Sequence, residues 1–353
     1  MKHIISTPMT GHPLTRRQFL KVAGGLGLSA AGMALLEACG ANAPTPIPED
    51  APLETTTIRL PLYFPICLAP IYVAEDLLHN EGFTNVEYVK IEDTGSKYIA
   101  SGDIDIGMDF TAPVAIRIER GESVVVLAGV HVGCFVLFST DQTNAISDLK
   151  GKTIPVTALG VTGTQYLFLA SMMAWAGLDP NKDINWIVHP VAEQMQLFSN
   201  GEVDALLAFP PSVQELRAKK IGQVALNSMM DKPWSNYFCC MLLANQGFAQ
   251  NNPVAAKRAM RAILKAADVC ALEPERAAKL MVDKGYTKNY DYALEAMQEI
   301  PYNRWREYDP EDTLRFYALR LREAGLIESS PDEIIAKGTD WTFLNELKAE
   351  LKG

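Results

Sequence analysis

The sequence predicts a two-lobed α/β protein with mostly parallel sheets and a C-terminal helical segment. After residue 55, short aliphatic runs alternate with amphipathic stretches, a pattern typical of βα units. The phrase SGDIDIGMDFTAP (101–113) recurs 99 positions later as NGEVDALLAFPP (200–211), with Gly, acid, aliphatic, Asp and then Phe in the same order. A chain of 353 residues is also long enough to form two hydrophobic cores.

Residues 1–38 have the pattern of an export signal. Arg16 and Arg17 stand in TRRQFLK, directly before an apolar run at 22–36. Paired arginines ahead of such a run are typical of the twin-arginine export route. The run is shorter than the ~20 apolar residues that a membrane span needs.

The end of this segment predicts a lipid anchor. Residues 36–40 resemble a lipobox, from which Glu37 departs, and Cys39 is the predicted lipidation site. A signal that is cleaved without lipidation remains the alternative. Residues 39–54 are rich in proline and predict a tether between the anchor and the folded domain.

Four predicted strands and two predicted helices make up the first lobe. Each strand is a short aliphatic run, and each helix repeats apolar residues at helical spacing. In chain order they are strand TIRLPL, helix APIYVAEDLLHNEG ending at Gly82, strands NVEYVKI and DIDIGM, helix APVAIRIERG and strand SVVVLAGV.

The second lobe continues this alternation, whereas the C-terminal region does not. After DLKGKTIPVT the predicted elements are helix GTQYLFLASMMAWAG, strand INWIVHP, helix AEQMQLFSNG, strand VDALLAF, helix PSVQELRAKKIG and strands QVALN and FCCMLLAN. From Pro253 onward the spacing is helical throughout, with Pro in an N1-like place. We expect PYNRWREYDPEDTLRFYALRLREAG to form a solvated helix packed on lobe one.

Each copy of the repeated phrase places Phe and Pro just beyond the C-terminal end of a predicted strand. Ligands of open α/β sheets bind outside the carboxyl ends of the strands. We therefore expect a cleft with Phe110 on one lip and Phe209 on the other. A strand-turn-helix idiom shared by two similar lobes, in which the two Phe side chains do not touch ligand, remains the alternative.

These residues resemble the type II periplasmic substrate-binding proteins of ABC importers, with their Venus-flytrap fold, in the branch for nitrate, sulfonates, taurine and aminopyrimidines. The resemblance covers about residues 56–350. Its carriers, in the family's order, are APIYVAEDLLHNEGF, SGDIDIGMDFTAP with RGESVVVLAGV, ISDLKGKTIPVTALGVTGTQYLFLASMMAWAGLD, NGEVDALLAFPP and LLANQGFAQNNP.

The resemblance implies a domain arrangement and a mechanism. A ligand bridges the lobes and favours a closed state, which a membrane permease recognises. A second hypothesis for the charged helix in PYNRWREYDPEDTLRFYALRLREAG is that it forms the face that docks on the permease. The implied boundaries are lobe one at 56–137 plus 242–353, lobe two at 142–236, and crossings near 135–141 and 237–244.

The resemblance also implies a pocket built from four loops and from the segment before the second crossing. One loop opens a helix, whose free N–H groups favour an anionic or acceptor group. Trp234 suits a core position equally well. The implied pocket residues are Tyr63, Phe64, Pro65, Asp109, Phe110, Thr111, Thr162, Gly163, Thr164, Gln165, Phe209, Pro210, Trp234 and Tyr237.

Charge at these positions decides which ligand class the sequence favours. Relatives often have Trp, an acid and Pro at the turn where this chain has Phe209 and Pro210. Asp109 offers a carboxylate instead, unless it caps the following helix. The pocket loops contain no Arg or Lys, and we expect Arg117 and Arg120 to be solvated. The sequence therefore favours an aromatic, heteroaromatic or amine ligand over a sulfonate or nitrate.

An enzyme similar to the fungal pyrimidine synthase of thiamine biosynthesis, which has the same fold, is the alternative to a binding protein. Its cofactor lysine and histidine fall at Asp109 and Pro113 here, so no Schiff base with pyridoxal phosphate can form. We therefore expect neither enzymatic activity nor a cofactor. YFCCM resembles that enzyme's cysteine-rich run, but apolar packing suits Cys239 and Cys240 better.

Histidine and cysteine spacing predicts no metal site. His131 and His189 lie at or just past strand ends, where a structural role and a pocket role both remain open. The net charge of −10 argues against nucleic acid and anionic lipid as partners. We expect a monomer on the twin-arginine route, periplasmic or on the outer face of the cell membrane, anchored through Cys39 and partnered by an ABC permease and its ATPase.

Overall fold

The structure is a computed structural model that describes most of the chain beyond the predicted signal. The segment 1–38, Cys39 and Phe64 lie outside the described residues. No helix in the described part is both long and apolar enough to cross a membrane. The described residues are Pro48, 51–63, 65–92, 94–140, 143 and 145–351.

The first part of the fold alternates strands and helices as the apolar spacing predicts. The predicted helix before Gly82 is two short helices, because the chain turns at Ala74, and the sequence pattern did not reveal the helix that begins at Gly95. The elements are β1 (Thr57–Leu62), α1 (Ala69–Val73), α2 (Glu75–Asn80), β2 (Asn85–Lys90), α3 (Gly95–Ser101), β3 (Ile106–Phe110), α4 (Thr111–Glu119) and β4 (Val124–Val132).

The chain then builds a second series of the same kind. A short strand precedes the series, and every predicted strand and helix that follows it is present, usually shortened at its ends. The elements are β5 (Val136–Ser139), β6 (Thr153–Val156), α5 (Thr164–Trp175), β7 (Asn185–Val188), α6 (Val191–Ser199), β8 (Ala205–Ala208), α7 (Ser212–Lys219) and β9 (Gln223–Asn227).

A long strand and seven helices complete the chain. Four of these helices have Pro in their first turn, where the missing N–H group costs nothing. Ser330 and Glu333 form a capping box at one helix start. The elements are β10 (Phe238–Asn245), α8 (Gln246–Asn251), α9 (Pro253–Leu272), α10 (Pro274–Asp283), α11 (Tyr290–Glu299), α12 (Pro310–Glu323), α13 (Pro331–Gly338) and α14 (Thr342–Glu350).

The strands form two groups of sheets, which we call the first half and the second half. The first half contains the parallel pair β1–β2 and the sheet β3–β10–β4, and the second half contains the parallel pair β6–β7 and the sheet β8–β5–β9. The central strands β10 and β5 run antiparallel to both neighbours. In each half, the central strand of the three-stranded sheet is thus the one by which the chain enters from the other half: β5 follows β4, and β10 follows β9.

The two passages between the halves are short in this arrangement. Residues 133–135 lead from β4 to β5, and residues 228–237 lead from β9 to β10. The second crossing is predicted near 237–244, but the second passage ends at residue 237. Residues 238–245 form β10, which pairs with β3 and β4. The predicted lobe boundaries remain a prediction.

Helix α12 lies against both halves. The sequence predicts a solvated helix packed on lobe one, and the helix contacts α4 of the first half but also α5 of the second. Leu314, Tyr317 and Leu321 are fully or almost fully buried, and the exposed face carries the charged residues. Apolar side chains at helical spacing on an otherwise charged helix are sufficient to bury one face.

The repeated phrase has one backbone role in both halves. The Asp105 carboxylate accepts the N–H of Arg59 in β1 at 2.8 Å, and its own N–H donates to the Arg59 carbonyl at 3.0 Å. The Asp204 carboxylate accepts the N–H of Thr153 in β6 at 2.7 Å, and its own N–H donates to the Thr153 carbonyl at 3.0 Å. Each Asp therefore joins the start of a repeated strand to the first strand of the parallel pair in its half, β1 or β6.

Candidate functional site

A cavity of about 340 Å³ lies between the two halves, where several strands end. Its size suits a small organic molecule. Its lining comes from the segments after β1, β2, β6 and β8, from the end of β3, from the first passage between the halves and from β10. The lining residues are Pro61, Tyr63, Pro65, Cys67, Leu68, Ile91, Glu92, Thr94, Gly95, Met108, Asp109, Phe110, Cys134, Phe135, Thr157, Ala158, Thr162, Thr164, Gln165, Phe209 and Cys240.

The start of α5 forms the wall of the second half. Gly163 occupies the N-cap position without a side-chain cap, and Thr162 and Thr164 line the cavity on either side of it. A Cβ at Gly163 would lie 2.1 Å from the carbonyl oxygen of Ala158, so only glycine allows this close turn. The predicted Gly163 is thus not a lining residue. Its role is to bring hydroxyls and uncapped backbone N–H groups to the cavity.

Gln165 lines the same wall, but its amide is already engaged. Its oxygen accepts the N–H of Thr157 at 3.0 Å, and its Nε2 donates to the Leu207 carbonyl at 2.7 Å and to Gln194 at 2.9 Å. Gln165 is buried, so breaking these bonds would leave unpaired polar groups. We conclude that it positions the wall.

Asp109 forms the acidic part of the wall of the first half. Its carboxylate accepts the N–H of Ser96 at 2.7 Å and that of Phe110 at 2.7 Å. Ser96 lies in the first turn of α3, so Asp109 holds the start of α3. It does not cap α4, whose N-cap is Phe110 without a side-chain bond. Burial raises the pKa of Asp109 to about 6, although the bonds to Ser96 and Phe110 favour the charged form.

Arg117 is buried, which corrects the expectation that it is solvated. Its Nε donates to Ser96 Oγ at 3.0 Å, and its guanidinium donates to Glu122 at 2.6 Å and to Thr94 at 3.4 Å. Thr94 lines the cavity, so Arg117 is a cation one layer behind the wall of the first half. Arg120, in contrast, is exposed as expected.

The two Phe residues of the repeat both line the cavity, but to different degrees. Phe209 is half-buried, with its ring 6.3 Å from that of Phe135. Phe110 is only 2% exposed and makes edge-to-face contacts with Phe135, Phe168 and Tyr317 at 5.1–5.5 Å. Phe209 is therefore available for stacking on a ligand, whereas Phe110 mainly belongs to the core.

Four predicted pocket residues are placed elsewhere. Thr111 is fully buried and lies near the carbonyls of β10, donating from Oγ1 at 3.2 Å to the carbonyl of residue 238. Pro210 accepts the N–H of Ile66 with its carbonyl at 3.4 Å. Trp234 is 1% exposed and packs on Phe168 and on Phe316 of α12, and Tyr237 stacks on Phe316 with ring centroids 4.0 Å apart. None of the four lines the cavity. The polar groups of Thr111 and Pro210 bond to the protein's own backbone, and the rings of Trp234 and Tyr237 pack against the core and α12.

Four cysteines, Cys67, Cys134, Cys239 and Cys240, form a buried cysteine cluster at the cavity floor. Three of them line the cavity, and the Sγ atoms of Cys134 and Cys239 are 3.2 Å apart. The described cysteines are free thiols. Burial raises the pKa of Cys134, whereas hydrogen bonds from the Cys134, Cys239 and Cys67 thiols lower the pKa of Cys240.

His131 lies beside this cluster, opposite Cys240 in the pairing of β4 with β10. It is fully buried, and its Nδ1 is 3.0 Å from the carbonyl oxygen of Gly133. Burial lowers the pKa of His131, whereas Cys240 and the carbonyls of Val132 and Gly133 raise it overall. The described lining contains no Lys or Arg.

Several lining residues were missed by sequence reasoning. Glu92 and Thr94 follow β2, so the rule that ligands bind beyond strand ends would have found them if it had been applied to every strand. Cys67 follows β1, and Cys134 and Phe135 follow β4, so the same rule would have included them. That a turn and an inter-half passage meet at the cavity is not visible in the spacing along the chain.

Comparison with known proteins identifies relatives. Residues 51–282 match the NMT1-like family. The nitrate/nitrite binding protein NrtA of Synechococcus elongatus is 24% identical over 303 residues, which cover 72% of this chain and 66% of that protein. The chain thus spans about two thirds of the length of this curated relative.

Solved structures resemble the fold at low sequence identity. The periplasmic nitrate-binding protein NrtA of Synechocystis PCC 6803 matches with a TM-score of 0.70 at 17% identity, over 86% of this chain and 90% of that one. The alkanesulfonate-binding protein SsuA of Xanthomonas axonopodis pv. citri matches with a TM-score of 0.66 at 14% identity, over 82% of this chain and all of that one.

These matches confirm the family resemblance and the α/β fold class predicted from the sequence. The names of the three relatives describe binding proteins, in agreement with the prediction that the chain is not an enzyme. Because the family match covers more than half of its residues, the chain belongs to the NMT1-like family, and it has the periplasmic-binding-protein fold.

Proposed function

We propose that the chain is the substrate-binding component of an ABC importer, which captures a small organic molecule between its halves and delivers it to a membrane permease and its ATPase. The observation that carries this proposal is the cavity of about 340 Å³ lined from both halves. A ligand that touches both halves binds the closed arrangement more tightly than the open one and shifts the population toward it. The names of the relatives support a transport role.

The preferred ligand is an amino-substituted aromatic heterocycle or another flat amine. Asp109 and Glu92 offer carboxylates, and Phe209 offers a ring face. The start of α5 offers N–H and hydroxyl donors to an acceptor atom on the opposite edge of the ligand. Such a molecule satisfies both walls at once.

Nitrate and sulfonates fit this lining less well, although relatives are named for them. A helix N-terminus stabilises an anion by only about 0.3–1 kcal/mol in exposed settings and about 2 kcal/mol when partly buried. The described lining has two carboxylates and no Lys or Arg to offset the burial of a full negative charge.

The pyrimidine-synthase alternative receives little support from the site. A Schiff base with pyridoxal phosphate needs a lysine, and the described lining has none. Asp109 stands at the place of that enzyme's lysine and holds the start of α3. Pro113 stands at the place of its histidine and lies within α4. We therefore keep the binding role as the proposed function.

Native mass spectrometry of the purified full chain, followed by denaturation to release any carried molecule, tests this function. We expect a small heteroaromatic or amine to be released. If the chain is empty, a thermal-shift screen should give the largest shifts with amino-heterocycles. Tighter binding of nitrate or an alkanesulfonate would contradict the ligand class, and no compaction in solution scattering with any tight ligand would contradict the closing mechanism.

The export route and the anchor belong to the same proposal. Replacing Arg16 and Arg17 by lysine should leave the precursor inside the cell, and Cys39→Ser should release the exported protein from the membrane fraction. Cell fractionation measures both. If Cys39→Ser leaves the membrane fraction unchanged, Cys39 does not carry a lipid anchor. The signal is then simply cleaved, or another attachment holds the protein at the membrane. Size-exclusion chromatography with light scattering tests the expected monomer.

A further inference from the structure

Three metal-binding side chains converge at the cavity floor, and the proposed function gives none of them a role. A ring nitrogen of His131 and the Sγ atoms of Cys67 and Cys134 all lie within 4.8 Å of one another. Their exposed fractions are 0%, 6% and 1%. Cys67 lies in the turn after β1, His131 near the end of β4 and Cys134 in the first passage between the halves. His131 and Cys134 are only three positions apart, but Cys67 is distant in sequence, so the spacing of His and Cys does not show that the three side chains meet.

The hydrogen bonding of His131 suits a ligand to a metal. Its Nδ1 lies 3.0 Å from the Gly133 carbonyl oxygen, which can only accept a proton, so Nδ1 carries the N–H. Its Nε2 is buried and has no hydrogen-bond partner among the described residues. A buried, unpaired acceptor nitrogen is costly unless something occupies it. Histidines that bind metals usually have this arrangement, in which the other ring nitrogen donates to a carbonyl or carboxylate.

Size and charge indicate which kind of ion would fit. With bonds of about 2.3 Å to sulfur and 2.0 Å to nitrogen, a tetrahedral site needs ligand atoms roughly 3.5–3.8 Å apart. The observed limit of 4.8 Å requires a contraction of about 1.3 Å at most, which side-chain rotation can supply. Two thiolates and a neutral imidazole balance a divalent ion, which matters in a buried site. Magnesium and calcium prefer oxygen ligands and would not select this set.

We propose that Cys67, His131 and Cys134 bind one thiophilic divalent cation of the Zn(II) type at the cavity floor, with an open coordination position toward the cavity. Binding converts the two thiols to thiolates and releases two protons to solvent. Cys67 and Cys134 both line the cavity, so the ion is reachable from it. A ligand nitrogen or oxygen could then complete the tetrahedron. The test does not depend on the proposed cargo, because metal binding is measurable in its absence.

Titration of the purified, fully reduced full chain with Co(II) tests the proposal. Cobalt in a tetrahedral site with thiolate ligands gives intense visible bands and a sulfur-to-metal charge-transfer band. We expect both to saturate at one Co(II) per chain and to be bleached by one equivalent of Zn(II). No thiolate charge transfer at any Co(II) concentration, or bands that Zn(II) does not displace, would overturn the proposal.

Variants locate the site. Cys134→Ser and His131→Asn should each weaken Zn(II) affinity by more than the roughly 100-fold that loss of an outer-layer partner can cost. Cys270→Ser is the matched control, since Cys270 is a buried free thiol of α9 outside the cluster and should leave affinity unchanged. Circular dichroism of each metal-free variant checks the fold. Equal affinity in Cys134→Ser and the unmodified chain, or equal losses in Cys134→Ser and Cys270→Ser, would remove the site.

Discussion

Asp105 in the first half and Asp204 in the second make matching bonds. Each accepts a backbone N–H from the first strand of the parallel pair in its half, and each donates its own N–H back to the same residue. Their carbonyls also match, since that of Asp105 accepts from Asn245 at the end of β10 and that of Asp204 accepts from Thr140 just after β5. The phrase therefore recurs because it builds the same junction of three strands twice.

The residues that follow this junction differ between the halves. The first half continues with Asp109 and a buried Phe110, beside the cysteine cluster, whereas the second continues with Ala208 and a half-buried Phe209, opposite the start of α5. The first half thus offers carboxylate and sulfur, and the second offers a ring face and hydrogen-bond donors. The same backbone arrangement thus presents different chemical groups in the two halves. The arrangement depends on the Asp, and the groups presented to the cavity depend on the residues four and five positions later.

Truncating the paired Phe residues should give the largest difference between the halves. Phe110→Ala removes a buried ring in contact with three other rings, and we expect a loss of about 3–5 kcal/mol in the free energy of unfolding. Phe209→Ala should cost about 1 kcal/mol in stability but weaken ligand binding by ~1–3 kcal/mol. Urea unfolding and calorimetric titration measure the two quantities. An unchanged dissociation constant in Phe209→Ala would remove it from the site.

The paired Asp residues provide a second test, in which both variants should act in the same direction. Asp105→Ala leaves the N–H of Arg59 and its guanidinium without their partner, and we expect a loss of about 2–4 kcal/mol. Asp204→Ala should cost about 1–2 kcal/mol, because its carboxylate is 35% exposed and water can replace part of the bonding. Urea unfolding compares the variants. A neutral Asp204→Ala would show that the two junctions are not equivalent.

The acidic wall of the first half should carry a pH dependence. The pKa of Asp109 is raised by burial to about 6, from 3.8 in the unfolded chain. Between these values the folded chain holds a proton that the unfolded chain lacks, so its contribution to stability falls as pH rises from about 4 to about 6 and is constant above.

Asp109→Asn should remove this slope. Relative to the unmodified chain, the variant should gain stability by on the order of 1–3 kcal/mol between about pH 4 and pH 6. Any fixed loss of the bonds to Ser96 and Phe110 cancels, because the readout is the change with pH. Urea unfolding at four pH values across this window measures it. Parallel pH profiles would contradict the assignment.

The glycines that open the two copies should give the smallest and most nearly equal effects. Gly102 and Gly201 have φ of +82° and +73°, and no atom lies closer than 3.8 Å to an added Cβ at either. Gly102→Ala and Gly201→Ala should each cost about 1–2 kcal/mol, from backbone strain alone. Thermal unfolding of both variants under one condition tests this. A difference above about 1 kcal/mol between the two free-energy losses would mean that one turn contributes to stability in a way that the other does not.

Much of the fold could be predicted from the sequence, because local spacing determines it. Apolar runs located most of the strands between β1 and β10, although not β5, and Pro253 located the start of one C-terminal helix. Helix α3 was missed because seven residues with few apolar positions give no period. Sheet order was equally hidden, since nothing near residue 238 shows that β10 enters between β3 and β4.

The candidate site could be predicted only where it follows strand ends. Asp109, Phe209 and the Thr residues beside Gly163 lie where that rule places them. Arg117 and Trp234 were misplaced because their partners, Ser96 and Phe316, are 21 and 82 positions away. The cysteine cluster gathers side chains from three distant segments, and single-chain spacing carries no signal for that.

The position of β10 has a consequence for the order in which the chain can become ordered during synthesis. Strands β3 and β4 do not pair with each other, and the gap between them is filled by residues 238–245. All strands of the second half, in contrast, lie within 136–227. A ribosome that has reached residue 230 has therefore synthesised every strand of the second half, while the sheet of the first half still lacks its middle strand.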